Sequence, residues 1–216
     1  MSGPIGLSLS VAAGAVLFSI VPAIAVAWYL ERSRLPGKGL VRAAALLPVV
    51  LPPIVTGYLL LVLLGPKHPA GVFLASIGLP VAFHRLGAVV AAGVVGFPFL
   101  MMSVALALRS VDPRLETVSR SLGLSRAATF ARVTLPLAWP GILSGSVLCF
   151  ARALGEFGAT IVLAGRIPGE TETIPLAVFA ALERPGGEDA AWTLCAVSIA
   201  LSAAGLLLSR FLERRI

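Results

Sequence analysis

The chain reads as an all-α, polytopic membrane bundle of five transmembrane helices, N-terminus outside and C-terminus inside, and three observations carry that reading. Hydrophobic residues make up 58% of the 216 and charged residues 12%, with a mean hydropathy of +0.98, far too apolar for an aqueous domain. Five apolar runs, at about residues 7–30, 41–65, 86–108, 138–165 and 190–209, are long enough to cross a hydrocarbon core. Lys and Arg gather in alternate connecting segments, as the positive-inside rule requires of cytoplasmic ones.

In hydrocarbon every backbone amide needs an internal partner, and these runs lack the alternation of barrel strands, so helices are the expected solution. The first run ends at Trp28 and Tyr29, which with Trp139 and Trp192 near other span ends fit an interfacial belt. MSGPIGLSLS has no basic segment ahead of the run, and the run is longer than a signal core, so this span is expected to stay. Arg32, Arg34, Lys38 and Arg42 follow it and place that connection in the cytoplasm.

The second run contains LPVVLPPIVTGY. Pro48, Pro52 and Pro53 each remove an amide donor, so this helix is expected to bend or break and to turn its freed carbonyls toward protein or water. Such a helix suits the wall of a polar pathway, with Thr56 as a candidate lining residue. Gly93, Gly96 and Pro98 repeat the theme in the third run. Two further apolar stretches, residues 72–83 and 174–182, are too short to cross; they are expected at the outer interface, closing the bundle or receiving a soluble partner.

Residues 109–136, RSVDPRLETVSRSLGLSRAATFARVTLP, form a polar, basic island placed in the cytoplasm by Arg109, Arg114, Arg120, Arg126 and Arg132. Asp112 and Pro113 mark a helix start. Leu115, Val118 and Leu122 share one face, and Glu116 precedes Arg120 by four residues on another, which predicts a short amphipathic helix. Gly123 ends it by allowing a left-handed or otherwise strained backbone. Ser125 caps a second helix running to about Val133, which Leu135 and Pro136 are expected to stop before the fourth span. Two short helices meeting at a glycine make either a docking knob or a hairpin lying on the membrane surface, and the residues leave both open.

The fourth run opens WPGILSG, where Gly141 and Gly145 permit close helix approach. It closes in ARALGEFGAT, where Arg152 and Glu156 are four residues apart, on one face of a continuous helix, at a depth where charges are costly. They either pair with each other and pin packing, or line a polar pathway with Arg152 open to an anion. Arg210, Arg214 and Arg215 follow the fifth run. The opposite side carries fewer basic residues, Lys67, Arg85, Arg166 and Arg184, together with Glu170, Glu172, Glu183, Glu188 and Asp189.

Topology accounts for the formal charge of +7, and the spread of basic residues without any nucleic-acid motif argues against a nucleic-acid partner. Cys149 and Cys195 fall inside spans as small packing residues. His68 and His84 are too few for a metal site and are expected as solvated loop residues. With no nucleophile and base pair and no HExxH ligand set in the spans, an intramembrane enzyme built on Arg152 and Glu156 is a distant rival, and no cofactor or metal is expected in this chain.

The stretch Glu116 to Pro136 resembles the cytoplasmic loop of the membrane subunits of bacterial ABC importers, whose pattern is Glu-Ala-Ala, three residues, Gly, nine residues, Ile, one residue, Leu-Pro. Gly123, Val133, Leu135 and Pro136 match by spacing, with Val133 standing for Ile. Thr117, Val118 and Ser119 replace the triplet, and Glu116 sits one position early. LPVVLPPIVTGYLLLVLLG, ARALGEFGATIVLAG and IPGETETIPLAVF extend the resemblance over nearly the whole chain and are similar to the molybdate permease branch; Gly155, Glu156, Phe157 and Gly158 are shared with sulfate-carrying relatives.

The resemblance implies a single type I permease-like transmembrane domain over residues 1–216, working as a homodimer in the bacterial cytoplasmic (inner) membrane. It implies two ATP-binding cassette subunits docked on the cytoplasmic loop through Glu116, Thr117, Arg120, Gly123, Leu124, Ser125 and Arg126. A periplasmic or extracellular molybdate-binding protein is implied on the other side. The chain has no GxxxxGK[ST] phosphate loop, so ATP and Mg are expected on the partner, and this chain is expected to do no covalent chemistry. The expected function is molybdate import by alternating access past Thr56, Arg152 and Glu156, with tungstate, sulfate or thiosulfate as the alternative cargo.

Overall fold

The computed structural model describes residues 3–213, with side chains described through residue 205. Among the described residues it is helical, with no strand. Helix α1 (Pro4–Arg32) leads to α2 (Lys38–Val50), α3 (Pro53–Leu64), α4 (Pro69–Ser76) and α5 (Arg85–Ser110). Two short helices, α6 (Pro113–Ser121) and α7 (Arg126–Thr129), run through a π turn (Phe130–Thr134) into α8 (Leu135–Leu154). Then come α9 (Gly158–Leu163), α10 (Ile174–Leu182) and α11 (Glu188–Glu213).

Helix α5 is the centre, flanked by α1 and α8. Toward this seam α1 buries Val11, Ala15, Ser19, Ala23, Ala27 and Leu30, spaced three or four residues apart. Lipid is as apolar as leucine, so close packing rather than water exclusion must hold such helices together. Glycine supplies that closeness: a Cβ on Gly141 would lie 2.3 Å from that of Ala107, and one on Gly145 would lie 2.8 Å from that of Ser103. The expected close approach of the fourth run therefore falls on α5. The Ser19 hydroxyl donates to Gly93 O at 3.1 Å across the other seam, so α1 and α5 share a buried polar contact as well as apolar surface.

Among the described residues, three helical stretches, α1, α5 and the continuous run Arg126–Leu154, are long and apolar enough to cross a membrane. The second apolar run is a bent pair, α2 and α3, meeting at 116° and making a fourth crossing if the pair is one span. The break expected at the prolines is at Pro52 and Pro53: Leu51 N–H closes α2 on Leu47 O, and Pro53 starts α3, where its missing donor costs nothing. The fifth run lies in α11. Arg214 and Arg215, counted above for topology, fall outside the described residues, as does the side chain of Arg210.

Two expectations for the fourth run are corrected. Leu135 and Pro136 do not stop the preceding helix; the chain continues from α7 into α8 through the π turn. Leu135 N–H reaches back to Phe130 O in this wider turn, which accommodates a proline ring that would strain an ordinary α turn. The run also does not continue to 165: α8 ends at Leu154, Gly155 and Glu156 are non-helical, and α9 starts afresh at Gly158. Arg152 and Glu156 therefore do not lie along one helix.

The short outer stretches are α4 and α10. Ser8 Oγ accepts from Ile174 N–H at 2.7 Å, tying α10 to the start of α1. His68 and His84 are less free than expected of solvated loop residues. His68 Nδ1 accepts from Ala70 N–H at the start of α4, and His84 Nδ1 is 3.1 Å from Glu170 Oε1.

Candidate functional site

Two clusters hold the residues that the sequence singles out, one around the α6–α7 hairpin and one where α8 ends. The first is the hairpin of α6 and α7. Asp112 Oδ1 accepts Arg114 N–H at 2.8 Å and Ser125 Oγ accepts Ala128 N–H at 3.2 Å, so both expected caps form. Between them Gly123 takes φ +92°, the left-handed conformation that an L side chain adopts only under strain, with its N–H bonded to Arg120 O at 3.0 Å. The buried Ser119 and Thr129 hydroxyls meet at 3.2 Å and lock α6 to α7.

The locked hairpin leaves its apolar row outside. Leu115, Val118 and Leu122 are 47%, 57% and 77% exposed. Thr117, Arg120, Ser125 and Arg126 are exposed around them, with Leu124 half-buried. Arg120 and Arg126 reach a cavity of about 780 Å³ between the hairpin and the end of α1.

Glu116 is the exception, because its carboxylate turns inward. Glu116 Oε1 accepts from the Thr134 hydroxyl at 2.9 Å and lies 3.0 Å from Arg32 Nε, the latter an ion-pair contact without hydrogen-bond alignment. Arg32 Nη2 donates to Leu108 O at 2.8 Å and Val111 O at 2.9 Å, at the end of α5. A second ion cluster sits nearby: Glu31 Oε2 accepts from Arg109 Nε at 2.6 Å and Oε1 from Arg109 Nη2 at 3.0 Å, with Arg42 Nη2 3.3 Å from the same Oε1. Helices α1, α2 and α5 are thus pinned at the hairpin end. Sequence reasoning counted Arg32 and Arg42 only as topology markers and passed over Thr134; the one usable signal was Glu116, an acid amid basic residues that needed a partner.

The second cluster lies where α8 ends. Arg152 Nη2 is 2.8 Å from Glu156 Oε2, while Glu156 Oε1 accepts Ala159 N–H at 2.8 Å in the first turn of α9. Glu156 is 2% exposed and the Arg152 side chain 30%, so the acid is sealed and the cation is partly open. Helix α9 in turn rests on α3: a Cβ on Gly57 would sit 2.7 Å from Ala159 Cα, and one on Gly158 would sit 2.9 Å from Pro53 Cβ. Beside that contact Thr56 is 4% exposed, and its Oγ1 has no hydrogen-bond partner among the described residues. The two broken spans therefore meet, which places Thr56 on the helix packed against the cap that Glu156 makes.

Over residues 15–216 the chain matches the family described as binding-protein-dependent transport system inner membrane component. It is 49% identical over 209 residues to the molybdenum transport system permease protein ModB of Escherichia coli (strain K12), covering 96% of this chain and 91% of that one. It is 46% identical over 212 residues to the protein of the same name from Haemophilus influenzae, covering 98% and 93%. A crystal structure of a bacterial alginate ABC transporter in complex with an alginate pentasaccharide-bound periplasmic protein contains a chain that superposes with a TM-score of 0.72 at 20% identity, over 98% of this chain and 77% of that one, which establishes a shared fold.

Proposed function

Because the chain belongs to the family of binding-protein-dependent transport system inner membrane components, and is therefore a multi-pass inner-membrane protein, we propose that it is the permease subunit of an ATP-driven molybdate importer. The supporting observation is the exposed row of Leu115, Val118 and Leu122 on a capped, cross-linked hairpin outside the bundle. An apolar ridge held rigidly in water calls for a partner groove. An ATP-binding subunit is the partner that the family membership supports.

On this reading the basic hairpin end faces the cytoplasm, α11 supplies a fifth span, and two copies flank the path. The ATP-binding subunits seat on the hairpins through Leu115, Thr117, Arg120, Leu122, Leu124 and Arg126, with Gly123 and Ser125 shaping the turn. Their closure moves the hairpins together and turns the path outward; hydrolysis returns it inward. Such a cycle runs only because nucleotide and the loaded binding protein each prefer one state. The chain binds and moves an oxyanion and forms no covalent bond to it. Arg152 offers the anion a partly open cation beside the path, and Glu156 keeps that cation in place. Thr56, whose hydroxyl is buried without a partner among the described residues, can bond a passing oxygen only when the path opens at the α3–α9 contact.

The deciding experiment is to purify the chain with its ATP-binding subunit, reconstitute the pair in liposomes, and add oxyanion-loaded binding protein. Stimulated hydrolysis with uptake is the expected result, and failure of the two chains to form a complex would sink the reading. Running the same assay with molybdate, tungstate, sulfate and thiosulfate assigns the cargo.

A further inference from the structure

Arg32, Glu116 and Thr134 are far apart in the chain, yet they converge on one carboxylate oxygen. Glu116 belongs to α6, Arg32 to the end of α1, and Thr134 to the π turn that feeds α8; Arg32 also holds the last carbonyls of α5. Thr134 is 1% exposed, and the side chains of Arg32 and Glu116 are 15% and 25% exposed, so the cluster is partly withdrawn from water at the wall of the cavity between the hairpin and α1. The Ser119 to Thr129 contact that joins α6 to α7 stays within the hairpin. Glu116 is therefore the hairpin's polar connection to α1.

We infer that Glu116 is a positioning residue for energy coupling: it clasps α6 to α1 and to the root of α8 at once, so that a displacement of the hairpin is delivered to three membrane-crossing stretches together. This rests on the importer reading above and assigns Glu116 a role inside the chain, in place of a contact with the ATP-binding subunit. The adjoining π turn supports it. A turn with one extra residue per bond is a point at which the Arg126–Leu154 run can bend. Without the clasp, hairpin motion would dissipate there by bending the turn; with Glu116 on Thr134, the turn and α6 move as one body.

The test measures oxyanion taken up per ATP hydrolysed, alongside affinity for the ATP-binding subunit, in the reconstituted complex. The variants are Glu116→Ala, Thr134→Val, the two combined, and Glu116→Gln, which keeps an Oε1 able to accept the Thr134 hydroxyl but gives up the ion pair with Arg32. Glu116→Ala is expected to lower the uptake-to-hydrolysis ratio about tenfold, and Thr134→Val about threefold, with subunit affinity unchanged. The double variant should be no worse than Glu116→Ala, and Glu116→Gln, with the Thr134 bond but without the ion pair, should give a ratio between those of Glu116→Ala and the unsubstituted chain. An unchanged ratio in Thr134→Val overturns the inference, and does so even if Glu116→Ala fails to fold. Loss of ATP-binding-subunit affinity in Glu116→Ala with Thr134→Val neutral also overturns it, since Glu116 would then be a docking contact. If the unsubstituted complex shows no stimulated hydrolysis, the importer reading itself falls; if it does and the variants keep the ratio, only the clasp falls.

Discussion

Arg152 and Glu156 meet at 2.8 Å across a helix break, with Glu156 Oε1 spent on Ala159 N–H, so a single buried acid both neutralises α8's last cation and caps α9. This arrangement turns an open question about two charges into a measurable asymmetry. Arg152→Met leaves a carboxylate that is 2% exposed without its counter-charge, and is expected to cost about 3–5 kcal/mol of stability. Adding Glu156→Gln at the same site should restore part of the loss, because a neutral amide keeps the Ala159 bond and leaves no charge unpaired. Thermal unfolding in detergent reads both, and an unchanged midpoint in Arg152→Met would show that Arg152 is not the counter-charge Glu156 needs.

The contact between the two broken spans depends on a missing side chain. A Cβ at Gly57 would fall 2.7 Å from both Ala159 Cα and Ala159 O, which are backbone atoms that cannot rotate away. Gly57→Ala should destabilise the protein by about 1–3 kcal/mol and abolish uptake by separating α3 from α9. Gly39 is the control: it lies in α2 with nothing within 4 Å of an added Cβ, and Gly39→Ala should stabilise slightly, by about 0.5 kcal/mol. Unfolding midpoints of the two variants should therefore move in opposite directions.

The hairpin's turn can be tested through backbone geometry alone. Nothing lies within 4 Å of a Cβ built at Gly123, so Gly123→Val acts through its φ of +92° and not through a clash. A strain of about 1–2 kcal/mol is expected to be relieved by rotating α6 against α7. Global stability should barely change while uptake per ATP falls, measured by parallel unfolding and transport assays. Equal uptake would remove the need for a rigid turn.

The apolar ridge predicts where the partner binds. Leu122 is 77% exposed, so Leu122→Glu should leave the unfolding midpoint of the chain unchanged. Buried in a partner groove, the same substitution should weaken the ATP-binding subunit's affinity at least about tenfold. Titration of that subunit onto detergent-solubilised chain distinguishes a docking ridge from a hairpin that lies on the membrane surface, for which affinity would not change.

Much of this protein is legible along the chain because membrane folding imposes local rules. Long apolar runs must be helical, Pro52 and Pro53 must break one of them, and Asp112, Gly123 and Ser125 dictate starts and stops through their own backbone and side-chain chemistry. The α6–α7 hairpin could be outlined from such signals. Its end at Pro136 could not, because a proline halts a regular α turn but passes through a π turn, and whether a helix widens depends on what Phe130 to Thr134 pack against.

By itself, then, the sequence determined the solvent, the helical class, the charge asymmetry and the residues able to cap, turn or break, since each of these follows from neighbours within a few positions. Only the tertiary structure decided which partners the charges take. Arg32 finds Glu116 across 84 residues and the carbonyls of Leu108 and Val111 from another helix, while Glu156 leaves the helix of Arg152 to cap the next. Charged groups removed from water must each find a counter-charge or hydrogen-bond partner, and which one is within reach is set by how the helices pack, a relation that spacing along the chain does not contain.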